Sequence, residues 1–276
     1  MESQKDETLE KKFQDLAHYL DRLNQIRDFV DIKTIYHYTD INGFLGIFQH
    51  HKFWSSNALF LNDSLEIKYG LELALKKINE GMTGNTDDYV NVLTHETGQG
   101  LQQMLMEGDL YVTSFCSNGD LLSQWRGYAS GIEGVSIGFN LKDLRSSITR
   151  GYIYKVIYDP DMQKEAINRI YLLLRDLIDY SKRKKAKHFL KYFRLWISVL
   201  QTIILTFKDE SFSEENEWRL IVHQDTFQNQ DTPIQYRSKN NYILPYIAID
   251  IHNFEKTIDS IITSPSQRED LVHESI

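Results

Sequence analysis

The feature that most constrains this chain is a long block with helical periodicity that lies between two groups of strand-like segments. The block begins at Pro160, and its second half repeats apolar residues every four or three positions, at Phe189, Phe193, Trp196, Leu200, Ile203 and Phe207. Strand-like runs precede it over 109–116, 134–139 and 151–158 and follow it over 217–223, 234–236, 242–251 and 257–263. Since strands and helices do not alternate regularly, we predict an α+β fold rather than a doubly wound sheet.

Two further helices are predicted before residue 100. Apolar residues from Leu9 to Val30 follow a four-three spacing, which predicts an amphipathic helix within residues 1–30. Its apolar stripe could dock on its own domain, bind a regulatory protein or self-associate through residues 9–30. Asn62 and Asp63 are good N-cap residues for a second helix, which we expect Gly81 to end.

The cysteine content, hydropathy and net charge of the chain indicate where the protein resides and what it binds. The single Cys116 cannot form an internal disulfide, and no apolar stretch reaches the roughly 18 residues of a membrane span. We therefore expect a cytoplasmic protein with no membrane partner. The net charge of −8 argues against general attraction to nucleic acid, although the basic cluster from Lys182 to Lys191 could be either a local nucleic-acid footprint or a solvated helix junction.

Familiar catalytic signatures are missing. The chain has no GxGxxG, GxxxxGK[ST] or GxSxG motif and no metal-ligand spacing, so the sequence predicts no metal site of a known pattern. Three clusters remain, over 36–39, 123–128 and 212–220. Strand alternation places His37 and Thr39 on one face and Tyr36 and Tyr38 on the other. In the third cluster, Glu215, Glu217 and Arg219 share one face if the strand already begins at Glu215, and Arg219 would then compensate the paired carboxylates.

Four motifs in order carry a family resemblance. They are HYT at 37–39, LNDSxExxYGL at 61–71, FCSNGDLLSQWRGYASGxxGVSIGF at 115–139 and FKDxxFxEExEWRL at 207–220. This layout resembles a widespread bacterial family known only as a domain of unknown function. Its H-x-T strand and late E-x-E pair are also similar to the ADP-ribosyltransferase superfamily. That second likeness implies a mixed, mainly antiparallel sheet over 31–276, with a helical insertion at about 160–208.

The ADP-ribosyltransferase likeness also implies an activity: cleavage of NAD and transfer of ADP-ribose to protein, nucleic acid or water, as in some bacterial toxins and defence effectors. By match, Glu217 stabilises the positive charge on the ribose, Glu215 positions or activates the acceptor, and His37 holds a ribose hydroxyl. The remaining NAD-binding candidates are Tyr38, which stands where poly-ADP-ribose polymerases have Gly, and Thr39, Trp54, Tyr69 and Arg126.

Other interpretations stay open at this point. Asp209, Glu215 and Glu217 could hold Mg²⁺ in a nuclease, because hard cations prefer carboxylate oxygens. The amphipathic segments could instead make the chain a non-catalytic interaction module. Taken singly, His37 could be a hydrogen-bonded strand-end residue, and Glu217 with Arg219 a surface ion pair of little energetic weight.

Overall fold

A computed structural model describes residues 9–16, 18–19, 32–60, 64–82, 110–128, 134–183, 189–224, 233–239 and 242–265. Within these ranges the chain is a mixture of helices and strands, and every pair of named strands is antiparallel. The prediction of an α+β fold with a mainly antiparallel sheet is therefore confirmed.

The nine strands of the described part are β1 (Thr34–Asp40), β2 (Lys52–Asn57), β3 (Leu110–Cys116), β4 (Gly134–Asn140), β5 (Tyr152–Lys155), β6 (Glu217–His223), β7 (Gln235–Lys239), β8 (Tyr242–Asp250) and β9 (Ile258–Thr263). The α-helices are α1 (Ile41–His50), α2 (Ser64–Met82), α3 (Leu122–Tyr128), α4 (Leu141–Ser147), α5 (Pro160–Arg183), α6 (Phe189–Ile204) and α7 (Phe254–Thr257). Short 3-10 helices cover Ala58–Phe60 and Glu210–Glu215.

Most of these elements lie where periodicity predicted them, but α4 and α7 were not anticipated. Helix α4 is only seven residues long, too short for a periodic signal to stand out. The sequence feature that marks its start is the N-cap residue Asn140. The Asn140 carboxamide accepts hydrogen bonds from the backbone N–H groups of Lys142 and Asp143, both at 3.1 Å. The predicted cap residues Asn62 and Asp63 and residues 184–188 of the basic cluster lie outside the described residues.

The chain divides into two compact units. One, the helical unit, comprises 1–29, 59–109 and 157–211; the other, the sheet unit, comprises 30–58, 110–156 and 212–276. All nine strands belong to the sheet unit, whereas α2, α5 and α6 belong to the helical unit.

In the helical unit, α5 and α6 pack against each other and both contact α2. Trp196 of α6 is fully buried, and its indole N–H donates to the carbonyl of Ile170 in α5 at 3.0 Å. Residues 9–16 are helical, with Leu9, Phe13 and Leu16 buried, and the Phe13 ring stacks on Tyr192 of α6 with centroids 5.9 Å apart. The predicted continuation of this helix over 20–30 lies outside the described residues.

The sheet unit contains a curled sheet with the order β7-β8-β2-β3-β1-β4-β9, and β6 and β5 are added beside β3. Strand β3 is its centre. On one edge β3 pairs with β6 from Leu110 to Cys116. On the other edge it is shared, because β2 pairs only with Tyr111 and Val112 and β1 pairs only with Cys116. The backbone between these points, residues 113–115, lies opposite neither strand, and we call this stretch the split.

A buried glutamine ties together three segments of the helical unit. The Gln163 amide nitrogen donates to the carbonyls of Ile157 at 2.6 Å and Lys208 at 2.9 Å, and its amide oxygen accepts from the Tyr69 hydroxyl at 2.8 Å. The residue has no solvent exposure. These bonds satisfy polar groups that water cannot reach.

We predict that Gln163→Leu lowers the free energy of unfolding by about 2–4 kcal/mol, because buried carbonyls are left without donors. Chemical denaturation followed by circular dichroism measures this loss. Lys164→Leu, a change at the exposed neighbouring position, is the matched control and should shift stability by no more than about 0.5 kcal/mol. Equal stability of the two variants would refute the role assigned to Gln163.

Candidate functional site

Side-chain hydrogen bonds link β1 and β2 to β3 at the split. The His37 Nδ1 lies 2.9 Å from the Ser114 carbonyl oxygen, and because a carbonyl only accepts, Nδ1 carries the proton. Beside it, the hydroxyls of Ser55 and Thr113 are hydrogen-bonded at 2.7 Å. These contacts join β1 and β2 to the same stretch of β3 where their ladders have separated.

His37 points into the inner face of the curled sheet, among aromatic rings. Its ring centroid lies 5.9 Å from that of Phe53 and 5.6 Å from that of Phe115. Phe53, Phe115 and Phe139 in turn contact one another with centroid distances of 5.2–6.2 Å. The imidazole is therefore the polar member of an aromatic core. It is hydrogen-bonded to backbone, as the alternative interpretation of this histidine expected, but it lies in the middle of β1 rather than at a strand end.

Glu217 lies on the outer face of the same sheet. Direct register partners in antiparallel strands share a face, and Tyr36, Cys116 and Glu217 are successive partners across β1, β3 and β6. His37 follows Tyr36 in an uninterrupted ladder with β4, so its side chain points to the opposite side. The structure thus places the two predicted catalytic residues two strands apart and on opposite faces.

The outer face carries a buried ion pair. Arg219 donates from Nε and from an Nη to the two carboxylate oxygens of Glu217, at 2.8 and 2.7 Å. Glu217 is 7% exposed and Arg219 is 2% exposed. The interpretation as a surface pair is therefore wrong: the pair is buried, and Arg219 compensates Glu217 alone. Such a bidentate pair fixes the carboxylate in one orientation.

Glu215 does not continue this strand. It ends a 3-10 helix, and Asn216 between the two glutamates has a positive φ of 42°. The condition under which Glu215, Glu217 and Arg219 would share one face is thus not met. The Glu215 backbone carbonyl accepts a hydrogen bond from the Cys116 thiol at 3.0 Å, which joins the turn to the end of β3.

Tyr38 and Cys116 form a buried cluster with Trp125 of α3 on the outer face. The Tyr38 hydroxyl donates to the Asn118 carbonyl at 2.7 Å and accepts from the Leu121 N–H at 2.9 Å, and its ring meets Trp125 edge-on. Burial raises the pKa of Tyr38 to about 12. Arg126, on the same short helix as Trp125, is exposed. Tyr38 is thus occupied in anchoring the loop that leads to α3.

Trp54 lies among groups that sequence reasoning did not connect with it. The guanidinium of Arg237 lies 5.6 Å from the Trp54 ring centroid and 5.7 Å from that of Tyr246, and it donates to the Ser56 hydroxyl at 2.9 Å. Burial lowers the pKa of Arg237, while the charge of Asp40 acts in the other direction. In the sequence, Arg237 is one polar residue in a short strand-like segment, and no motif distinguishes it from other arginines.

The other candidates are dispersed. Thr39 is half-buried at the end of β1, where its hydroxyl faces Gly43 of α1. Tyr69 belongs to the helical unit and bonds to Gln163 there. Asp209 uses one carboxylate oxygen to accept from the backbone and hydroxyl of Ser211. Among the described residues no three His, Cys, Asp or Glu side chains are placed to hold a metal ion. None of the described helices has the length and apolar character needed to cross a membrane.

The Cys116 thiol gives a direct probe of this site. Burial raises its pKa to about 11, so we predict that the folded protein hardly reacts with iodoacetamide at pH 8 and that the rate climbs as pH approaches 11. Since the folded pKa lies above the unfolded one, the thiol should also cost stability as pH rises from about 9 to 11. Mass spectrometry of alkylated protein, with urea-unfolded protein as the control, measures the rates. Comparable rates in folded and unfolded protein at pH 8 would contradict the burial of this group.

Comparison with known proteins supports only the first of the two resemblances. Neither the curated proteins nor the solved structures include a match to this chain. The similarity to ADP-ribosyltransferases is accordingly not supported. Residues 124–220, from α3 to the middle of β6, match the model of a family described as protein of unknown function (DUF2971), in agreement with the expected domain-of-unknown-function family.

Proposed function

We propose that this chain consumes NAD, with the Glu217 carboxylate as the group that stabilises the positive charge formed on the ribose. The observation that carries the proposal is the burial of Glu217 in a bidentate contact with Arg219. An ionised carboxylate held in one orientation and shielded from water suits a reaction whose transition state resembles an oxocarbenium ion.

In the proposed reaction the bond between ribose C1′ and the nicotinamide nitrogen breaks, and nicotinamide leaves with the bonding electrons. An oxygen of the acceptor or of water then forms a bond to C1′ and gives its proton to Glu215, the nearest other carboxylate along the chain. Glu217 does not bond covalently in this scheme. Its negative charge lowers the energy of the sugar cation.

The proposal assigns the binding of NAD to the outer face. Trp54, Arg237 and Glu217 belong to this face, because the register of β7, β8, β2, β3 and β6 relates them. Trp54 would stack on a ring of the dinucleotide, and Arg237 would meet its pyrophosphate. His37 becomes a positioning residue that holds β1 against β3, rather than a group that contacts the ribose.

The test is release of nicotinamide from NAD by the purified protein, followed by chromatography. Glu217→Gln alone leaves Arg219 buried without its carboxylate and should destabilise the fold by about 3–5 kcal/mol. The informative variant is therefore the double change Glu217→Gln with Arg219→Met, which removes both charges together. We expect the double variant to stay folded by circular dichroism and to lose activity about 100-fold or more. Absence of nicotinamide release by the wild type, or full activity of the double variant, would overturn the proposal.

His37→Asn separates positioning from catalysis. If His37 holds the split, this variant loses about 1–3 kcal/mol of stability, while the rate of nicotinamide release at saturating NAD, measured well below the melting temperature, changes by less than about threefold. A variant of unchanged stability that releases nicotinamide about 100-fold more slowly would restore the catalytic assignment from the sequence.

A further inference from the structure

A second place in the sheet unit has the character of a ligand site, and the proposed function does not use it. A cavity of about 600 Å³ opens between residues 32–33 and the start of α4. Three cationic side chains line it, from Lys33, Lys142 and Arg145, and none of the described residues that line it is acidic. We call this cavity the basic groove.

Backbone hydrogen bonds hold the two sides of the basic groove together. The N–H of Leu141 donates to the Lys33 carbonyl at 2.8 Å, and Thr34 and Asn140 are register partners in the ladder between β1 and β4. Lys33 and Lys142 therefore project from segments that cannot separate without breaking this ladder. The Asn140 side chain already occupies the first N–H groups of α4, so the attraction for a ligand comes from the side-chain cations.

Arg145 is the pre-oriented cation of the three. One Nη donates to the Ile153 carbonyl at 3.1 Å, and the guanidinium lies 5.7 Å from the ring centroid of the buried Trp218. These contacts hold the guanidinium in place before any ligand arrives, which reduces the conformational entropy that binding costs.

The charge of the basic groove is opposite to that of the whole protein. The chain carries a net charge of −8, yet this cavity collects three cations. A small anion that would be repelled by most of the surface is attracted here, because the fields of the three cations add. Asp143 is exposed in the same turn of α4 but does not line the cavity.

We propose that the basic groove binds a small molecule that carries two or more phosphate groups. Its volume falls in the range of about 300–1,000 Å³ that is usual for small-molecule sites. Arginine and lysine together supply the charge-assisted hydrogen bonds that phosphate oxygens accept. Ile32 and Leu141 add an apolar surface for the uncharged part of the ligand.

The experiment is isothermal titration calorimetry of the full-length protein with inorganic pyrophosphate as the probe, at low and at physiological salt. We expect saturable binding that weakens as salt rises. The double variant Lys33→Met with Lys142→Met should bind about tenfold or more weaker, because two charge-assisted contacts are lost. Lys256→Met, an exposed lysine on α7 outside the cavity, is the matched control and should bind like the wild type.

The outcomes separate this proposal from the proposed function. The variant with Glu217→Gln and Arg219→Met should retain pyrophosphate binding even if it no longer releases nicotinamide. Absence of saturable binding, equal affinity in the double-lysine variant, or an equal loss in Lys256→Met would each overturn the proposal. Binding of single-stranded DNA without binding of pyrophosphate would overturn it in favour of a nucleic-acid contact.

Discussion

The shared edge of β3 is the constraint on which the sheet unit depends. A single strand edge has to satisfy its backbone groups against two partners, since β2 pairs with one end and β1 with the other. Where neither strand lies opposite, the His37 imidazole donates to the Ser114 backbone carbonyl, and the side-chain hydroxyls of Ser55 and Thr113 bond to each other. An unsatisfied buried backbone carbonyl is costly, which favours a polar side chain at position 37 within an otherwise aromatic core.

That constraint decides how the two faces of the sheet can be used. On the inner face, phenylalanine rings pack against one another, and His37 donates to the Ser114 backbone carbonyl. The outer face keeps the Glu217–Arg219 pair and the Trp54–Arg237 contact. Charged groups buried without a partner would destabilise the fold, so the pairing of Glu217 with Arg219 is a condition for keeping a carboxylate there at all. Any chemistry of Glu217 has to work within that pairing.

Local patterns predicted the elements well because their causes are local. Runs rich in β-branched and aromatic residues predicted β3, β4 and β6, and apolar periodicity predicted α6. The short helix α4 was not predicted because seven residues do not establish a period. The role of Asn216 was not predicted either. Its positive φ ends the 3-10 helix and keeps Glu215 out of the strand, whereas the sequence motif suggested that both glutamates lie in one strand.

The sequence by itself determined the order of the strands and of the longer helices, the alternation that separates His37 from Tyr36 and Tyr38, and the closeness of Glu217 to Arg219. These follow from spacings within one element, where the backbone period decides which side chains share a face. Only the tertiary structure decided that β1 and β6 flank β3 in a register that sends His37 and Glu217 to opposite faces. Register between strands distant in sequence depends on the packing of the whole sheet, and no short motif contains that information.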